Sequence, residues 1–398
     1  VFDLIRRGHS SFVFCCEPGM MRAVMSYGAT AEEARTMDIR GCYETGVRGN
    51  EVSTVSGYVN ALKAVEYVFT DGRDRRTGAQ IGLPTALSSL AGFDDFYNAV
   101  LAQWDHLIGR TIACSLRFEK YLSYINPSNL YSGTILHALE RGEDAYQSGV
   151  KFSNSSVLNC GFASLVDAVA AVREFVYEKK TVTLAELGEA LAQNWAGWED
   201  LHTQIKKSVH KYGNDDPSTD ALAREMAAHF SAFVNFRPNA RGGVYKATMH
   251  SAMEFVWQGA KTGATPDGRY AGEEASKNGS PSVGMDKSGV TALIRSALRL
   301  APSSYPESFC LDVMLHPSAV SGKEGLSVMK ALLMTYLAGD GMSIQFNVFD
   351  TATLRDATAH PERYKNLQVR VCGWNVLWNN LSPKEQAAYL RRAEEHER

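Results

Sequence analysis

Apolar and polar positions follow two different periods along this chain, and each period predicts a different kind of element. Short apolar runs predict strands at residues 12–14, 344–348 and 369–371. Apolar residues at helical spacing predict a helix over 163–177. A Thr-x-x-Glu capping box predicts that the next helix begins after Thr183. The pattern therefore predicts several short strands with amphipathic helices between them.

Turn and capping residues refine this pattern at both ends of the chain. Pro18 and Gly19 predict a turn after the first strand. Ser382, followed by proline and then glutamate at the capping-box spacing, predicts the start of a helix near the C-terminus. Gly373 therefore lies in a connection between a strand and this helix. Taken alone, it is best interpreted as a turn glycine with positive φ.

Composition agrees with a soluble globular enzyme. It has 398 residues, of which 45% are hydrophobic and 21% charged, close to the averages for folded domains. The net charge of −3 gives no basic field for nucleic acid. No run approaches the roughly 20 apolar residues of a membrane helix, and no signal peptide is recognisable. We therefore expect a cytoplasmic enzyme whose partners include neither nucleic acid nor membrane.

The cysteines and histidines supply the candidate chemistry. The seven cysteines fit neither a zinc site nor a Cys-x-x-Cys pair, and the ten histidines are scattered, so we predict no metal. Most of the cysteines are expected to be buried. Cys42 differs because glycines flank its loop and Glu44 lies two residues on. In an extended loop such residues face the same side, so the thiol and the carboxylate would share one site. Taken alone, such a pair is more often incidental.

Several sequence strings, in the same order, resemble one known family. Residues 366–374 (Asn-Leu-Gln-Val-Arg-Val-Cys-Gly-Trp) resemble the glycyl radical signature of the pyruvate formate-lyase superfamily. Residues 41–44 (Gly-Cys-Tyr-Glu) resemble the Gly-Cys-x-Glu loop of its eliminating lyases, and residues 262–269 and 344–348 add further matches. Trp374 departs from the usual tyrosine or phenylalanine but keeps an aromatic residue. The chain is identified as a member of this superfamily.

The resemblance implies an α/β fold that is the C-terminal part of the family's barrel. That barrel consists of two parallel half-barrels with the Cys and Gly loops inside and helices outside. The chain begins at Val1 rather than methionine and is about half as long as the family's proteins, so we expect an incomplete chain. We predict a partial barrel with the Cys loop over residues 1–340 and a glycine radical domain over 341–398. We expect a homodimer when the protein is full length.

The resemblance also implies a mechanism and a partner. A separate activating enzyme, which uses S-adenosylmethionine and an iron–sulfur cluster, would install a radical on Gly373. Cys42 would form the thiyl radical that abstracts substrate hydrogen, and Glu44 would be the general base. The reaction would eliminate water or an amine from a small-molecule substrate, with no bound cofactor. The alternative for Glu44 is a structural carboxylate that caps nearby backbone amides.

Other interpretations stay open at this point. The protein could be an arylacetate decarboxylase or a formate acetyltransferase of the same superfamily, or a non-catalytic, glycine-bearing replacement part. The adjacent pair Cys15 and Cys16 is a competing signal, since pyruvate formate-lyase uses two neighbouring cysteines. Because Cys15 and Cys16 follow an apolar run, we expect them in the pocket wall or the core.

Overall fold

The computed structural model of this chain describes residues 1–52 and 56–397. The strands are β1 Phe14–Cys15, β2 Met37–Ile39, β3 Thr45–Val47, β4 Ser56–Asn60, β5 Ser155–Cys160, β6 Tyr245–Met249, β7 Ser308–Leu315, β8 Ser343–Val348, β9 Gln368–Arg370 and β10 Asn375–Leu377. The helices are α1 Phe2–Ile5, α2 Glu17–Met25, α3 Ala31–Ala34, α4 Leu62–Phe69, α5 Phe93–Glu119, α6 Leu122–Ile125, α7 Asn129–Ser132, α8 Leu136–Arg141, α9 Phe162–Val172, α10 Leu184–Ala192, α11 Glu199–Lys207, α12 Pro217–Val234, α13 Glu254–Ala260, α14 Val290–Leu298, α15 Gly322–Ala338, α16 Thr351–Ala359 and α17 Pro383–Glu397.

A six-stranded sheet in the order β1-β8-β7-β6-β5-β4 organises the molecule. Strands β4 to β8 are parallel, and β1 pairs antiparallel with β8 at one edge, with Phe14 opposite Ile344. Parallel strands need helical crossovers, and every residue of β5, β6 and β8 is buried, as is typical of a sheet covered by helices. The predicted α/β fold is confirmed.

Two small hairpins lie outside this sheet. Strands β2 and β3 pair antiparallel and are joined by residues 40–44, which we call the Cys hairpin tip. Strands β9 and β10 also pair antiparallel and are joined by residues 371–374, which we call the Gly hairpin tip. A hydrophobic cluster packs Tyr43 of the first tip with Val371, Cys372 and Trp378 around the second. The two tips therefore share one core.

The predicted elements are largely present, with small shifts. Strand β8 contains the whole predicted run 344–348, whereas the predicted strand at 12–14 is found at Phe14–Cys15. The predicted helix over 163–177 is α9 followed by a π-helical turn, Arg173–Glu178. The capping box at Thr183 is present, since its side chain accepts a hydrogen bond from the Glu186 N–H.

The prediction of a turn at Pro18 and Gly19 is wrong. Both residues lie in the first turn of α2, which begins at Glu17. Proline is tolerated there because a first-turn N–H has no partner inside the helix. The capped helix predicted after Ser382 is α17, with the Ser382 N–H donating to the Glu385 carboxylate at 2.8 Å. The boundary predicted near residue 340 stays a prediction.

Candidate active site

The two hairpin tips meet at Cys42 and Gly373. Gly373 has φ +78°, and a Cβ built there would lie 2.3 Å from the Cys42 Cα and 2.6 Å from its carbonyl oxygen. Real Cβ atoms do not approach other heavy atoms this closely, and this backbone conformation disfavours side chains. The contact between the tips is therefore restricted to glycine.

Hydrogen bonds within the Cys hairpin tip fix the Glu44 side chain. Its Oε2 accepts the backbone N–H groups of Cys42 at 2.5 Å and Tyr43 at 2.9 Å. The Arg40 N–H closes the loop by donating to the Glu44 carbonyl oxygen at 2.8 Å. Glu44 thus makes the amide-capping contacts expected of a structural carboxylate. These contacts use one oxygen and leave Oε1 available.

His250 completes a cluster that residue patterns did not reveal. One potential metal-ligand atom each of Cys42 (Sγ), Glu44 (a carboxylate oxygen) and His250 (a ring nitrogen) lies within 4.8 Å of the other two. His250 is 1% exposed. Its Nδ1 lies 3.6 Å from Glu44 Oε1, and its Nε2 lies 3.0 Å from the sulfur of Cys372, next to Gly373. Within the described ranges, this is the one group of three such side chains close enough to hold a metal ion, and its donors are types that zinc accepts.

Burial and neighbouring charges change the protonation of this cluster. Burial raises the pKa of the Cys42 thiol, and although the neighbouring His250 side chain opposes this, the net direction is upward. A protonated thiol has a hydrogen atom to donate and is a poor nucleophile. Burial lowers the pKa of His250, but Cys372, Cys42 and Glu44 more than offset this and hold it well above its ordinary value.

A buried polar network connects the two tips through the sheet. The Tyr43 hydroxyl and the Gln345 side chain, in β8, are hydrogen-bonded. Arg370 Nε donates to Gln345 Oε1 at 2.8 Å, and its Nη2 donates to the Gly373 carbonyl oxygen at 3.1 Å. Gln345 also contacts the Asp312 carboxylate in β7. Each tip is therefore tied to the same glutamine.

A second buried network supports the Cys hairpin from the other side. The Glu51 carboxylate, 2% exposed, accepts hydrogen bonds from Lys246 Nζ at 2.7 Å and from the Tyr27 hydroxyl at 2.5 Å. Arg40 lies 3.4 Å from Glu51 and donates to the Thr45 carbonyl oxygen at 2.7 Å. These charges hold the two ends of the Cys hairpin tip.

The two neighbouring cysteines are not part of the Cys42, Glu44 and His250 cluster. Cys16 is in the core as expected, with its sulfur donating to the Leu337 carbonyl oxygen at 3.4 Å, whereas Cys15 is exposed on β1.

Three residues of the site, Gln345, Arg370 and His250, had no predicted role. Gln345 and Arg370 lie in strings that resembled the family. His250 follows a buried parallel strand directly, and groups at the carboxyl ends of such strands commonly form sites. The position of His250 directly after a buried strand was therefore the sequence feature that could have identified it.

Two family models and several characterised proteins match this chain. A pyruvate formate lyase-like family model matches residues 1–259, and a glycine radical model matches residues 275–379. The chain is 30% identical over 394 residues to trans-4-hydroxy-L-proline dehydratase of Clostridioides difficile, covering 99% of this chain and 50% of that protein. It is 28% identical over 401 residues to (2S)-3-sulfopropanediol dehydratase of Klebsiella oxytoca, covering 99% and 48%.

Solved structures give the same picture of the fold. A structure described for 1,2-propanediol dehydration in Roseburia inulinivorans matches with a TM-score of 0.94 and 31% identity. The match covers 98% of this chain and 50% of that one. The chain therefore spans about half the length of the relatives that it matches.

Proposed function

The chain belongs to the pyruvate formate lyase-like family, as its sequence strings predicted, and from that premise we propose that it is part of a glycyl radical lyase. In this proposal Gly373 carries the radical, Cys42 relays it and Glu44 is the general base. The whole protein eliminates water or an amine from a small molecule such as a diol, a hydroxyproline-like compound or a choline-like amine. The dehydratases among its relatives support elimination.

The observation that carries this proposal is the contact between the two hairpin tips. Radical relay needs the thiol-bearing residue against the glycine, and the backbone of Cys42 occupies the space that a side chain at position 373 would need. A glycine also suits a backbone radical, because a planar α-carbon without Cβ crowds neither side. The raised pKa of Cys42 agrees with a thiol that donates and recovers hydrogen atoms.

The proposed reaction balances without a bound cofactor. The Gly373 radical takes hydrogen from the Cys42 thiol, and the resulting thiyl takes hydrogen from a substrate carbon next to the carbon that bears the leaving hydroxyl or amine. Where the radical carbon itself bears a hydroxyl group, as in a diol or a choline-like amine, Glu44 removes its proton, and the ketyl-like radical expels its β-substituent. A departing hydroxide takes the proton that Glu44 holds and leaves as water, whereas a quaternary amine leaves as the neutral amine. With a hydroxyproline-like substrate, Glu44 manages the proton at the leaving hydroxyl group. The product radical then recovers hydrogen from Cys42, which regenerates the thiyl for return to Gly373.

This proposal includes partners and a location. An activating enzyme that uses S-adenosylmethionine and an iron–sulfur cluster removes the first hydrogen from Gly373. The full-length protein forms a homodimer in the cytoplasm. Among the described helices, none combines the length and apolar character that crossing a bilayer requires. The division into residues 1–340 and 341–398 belongs to the same proposal.

The test is electron paramagnetic resonance of the anaerobically activated full-length protein. The wild type should give a doublet, because one α-hydrogen remains on the glycyl radical. In D₂O the doublet should collapse, since exchange through the Cys42 thiol delivers solvent deuterium to Gly373. Cys42→Ser should keep the doublet in D₂O, whereas the matched Cys15→Ser variant should behave as the wild type.

Two results would count against the assignment. A doublet that survives Gly373→Ala would place the radical elsewhere, and exchange that persists in Cys42→Ser would mean that another thiol relays it. Product analysis with a diol, hydroxyproline and choline then tests elimination. Activity with pyruvate and coenzyme A only would instead favour acyl transfer. That chemistry is expected to use two adjacent cysteines, whereas the residue after Cys42 is Tyr43.

A further inference from the structure

His250 is a buried group of the site to which the proposed chemistry gives no task. It directly follows β6 and lies between the two hairpin tips, with 1% of its surface exposed. An imidazole in such a place needs partners on both ring nitrogens, because an unpaired buried polar atom is costly. The two nitrogens of His250 face different groups, and this difference indicates what the residue does.

The Nε2 side of the ring is held firmly. Nε2 lies 3.0 Å from the Cys372 sulfur, and Asn278 Nδ2 approaches the same sulfur at 3.7 Å. Asn278 is itself fixed, because its Nδ2 donates to Asp312 at 2.5 Å and its Oδ1 accepts the Ser251 N–H at 2.8 Å. A thiol that donates to Nε2 leaves the ring proton on Nδ1, and an imidazolium also carries one there.

The Nδ1 side of the ring is unsatisfied. Among the described residues, Nδ1 has no hydrogen-bond partner, and Glu44 Oε1 lies 3.6 Å away. Glu44 Oε2 is fixed by two backbone amides, so the carboxylate presents Oε1 to the ring. Contacts in a site without substrate are often longer than in the reacting complex. Glu44 Oε1 is therefore the acceptor that the geometry offers to Nδ1.

We propose that His250 is a positioning residue for Glu44: held by Cys372, it directs Nδ1–H at Oε1 and holds the carboxylate in the orientation of a base. This inference rests on the proposed function and deepens it. The groups that face the ring are the Cys42 thiol, the Glu44 carboxylate and the Cys372 thiol, with the Tyr43 ring edge-on at 5.3 Å. The raised pKa of His250 agrees with an imidazolium opposite a carboxylate.

The test compares pH profiles of turnover for activated full-length wild type and His250→Gln, with whichever diol, hydroxyproline or choline substrate the wild type accepts. The glutamine keeps an amide but cannot titrate. We expect turnover to fall by roughly tenfold or more, as for loss of a charge-assisted hydrogen bond. The alkaline limb that reports deprotonation of His250 should disappear, because glutamine does not titrate. Cys372→Ala should move that limb to lower pH, because Cys372 is one of the groups that raise the pKa of His250.

The matched control is His229→Gln, which removes another histidine–carboxylate contact, His229 to Asp105 at 2.7 Å, on distant helices. Its pH profile should match the wild type. A His250→Gln protein with the wild-type profile would overturn the inference while leaving the lyase intact. The glycyl radical signal distinguishes failure of the His250 inference from failure of the proposed lyase function, since His250→Gln should form the radical fully. A wild type with no radical and no elimination would refute both proposals.

Discussion

Glu44 has two oxygens with different surroundings, which separates its structural contacts from its proposed chemistry. Oε2 caps the amides of Cys42 and Tyr43, whereas Oε1 faces His250. The alternatives weighed from the sequence, a base and a capping carboxylate, therefore describe different atoms of one side chain. The two fixed hydrogen bonds also restrict rotation of the carboxylate, and a fixed orientation is what the proposed mechanism requires of it.

Glu44→Gln should separate these two contributions. The amide oxygen can still accept both backbone N–H groups, so the tip should keep its shape and the glycyl radical should form normally. Turnover should fall by on the order of 10²-fold or more, because glutamine cannot accept the substrate proton. Steady-state rates and radical yield, measured on the same preparation, test this. Glu32→Gln, at an exposed position nearby, is the control. Normal turnover in Glu44→Gln would reduce Glu44 to a structural residue.

At this scale the sequence predicted which residues meet but not all of what surrounds them. Cys42, Glu44 and Gly373 lie in short strings with recognisable chemistry, and the structure brings them together. His250 shares no local motif with them, because it reaches the site from β6 through the tertiary fold. A side chain contributed by a distant strand leaves no trace in residue spacing. The catalytic roles of Cys42, Glu44 and Gly373 stay predictions.

At the scale of elements, the Cys hairpin depends on a buried carboxylate. Glu51 accepts hydrogen bonds from Lys246 and from the Val47 N–H at 3.1 Å, and Arg40 lies beside it. Burial raises the pKa of Glu51, but the charges of Lys246 and Arg40 outweigh burial and lower it overall. A carboxyl group whose pKa is lowered by folding stabilises the protein above its unfolded pKa of about 4.3. That contribution is lost as the pH falls through the folded pKa.

Glu51→Gln should therefore destabilise the protein at neutral pH by roughly 1–3 kcal/mol, because Arg40 and Lys246 each lose a buried counter-charge while Lys246 keeps its ion pair with Glu307. Urea unfolding at pH 7 and at lower pH measures this, and the difference from wild type should shrink as the pH falls. The control is Glu143→Gln, whose carboxylate pairs with Arg141 at the surface and should change stability little. Equal effects of the two substitutions would contradict a supporting role for Glu51.

Elements were predicted best where a local signal and the tertiary environment agreed. The buried run of β8 and the capping boxes of α10 and α17 are such cases. The turn prediction at Pro18 was wrong because proline favours both a turn and the first turn of a helix. The packing of the residues that follow decides between the two. The pairing of β1 with β8 could not be predicted, since it joins segments more than three hundred residues apart in the chain.

At the scale of the whole molecule, one stretch is unusually apolar on its surface. Between the end of α5 and α8, large apolar side chains are exposed, with Leu130 at 92%, Tyr124 at 82%, Leu136 at 66% and Ile125 at 65%. Folded monomers rarely leave so many large apolar groups on one segment in water. The fold class and family were predictable from motifs, but this surface was not, because exposure depends on which elements lie above a helix.

We expect the 398-residue chain, expressed alone, to self-associate through this segment, because apolar side chains in water gain free energy when they are covered. Sedimentation velocity over a range of protein concentrations measures it. Ile125→Asp combined with Leu130→Asp should shift the chain toward monomer, since a charge disfavours burial in an apolar contact. Val209→Asp places the same charge at an exposed apolar position elsewhere, 73% exposed, and should leave association unchanged. A wild-type chain that sediments as a monomer at every concentration would show that the segment is tolerated in water.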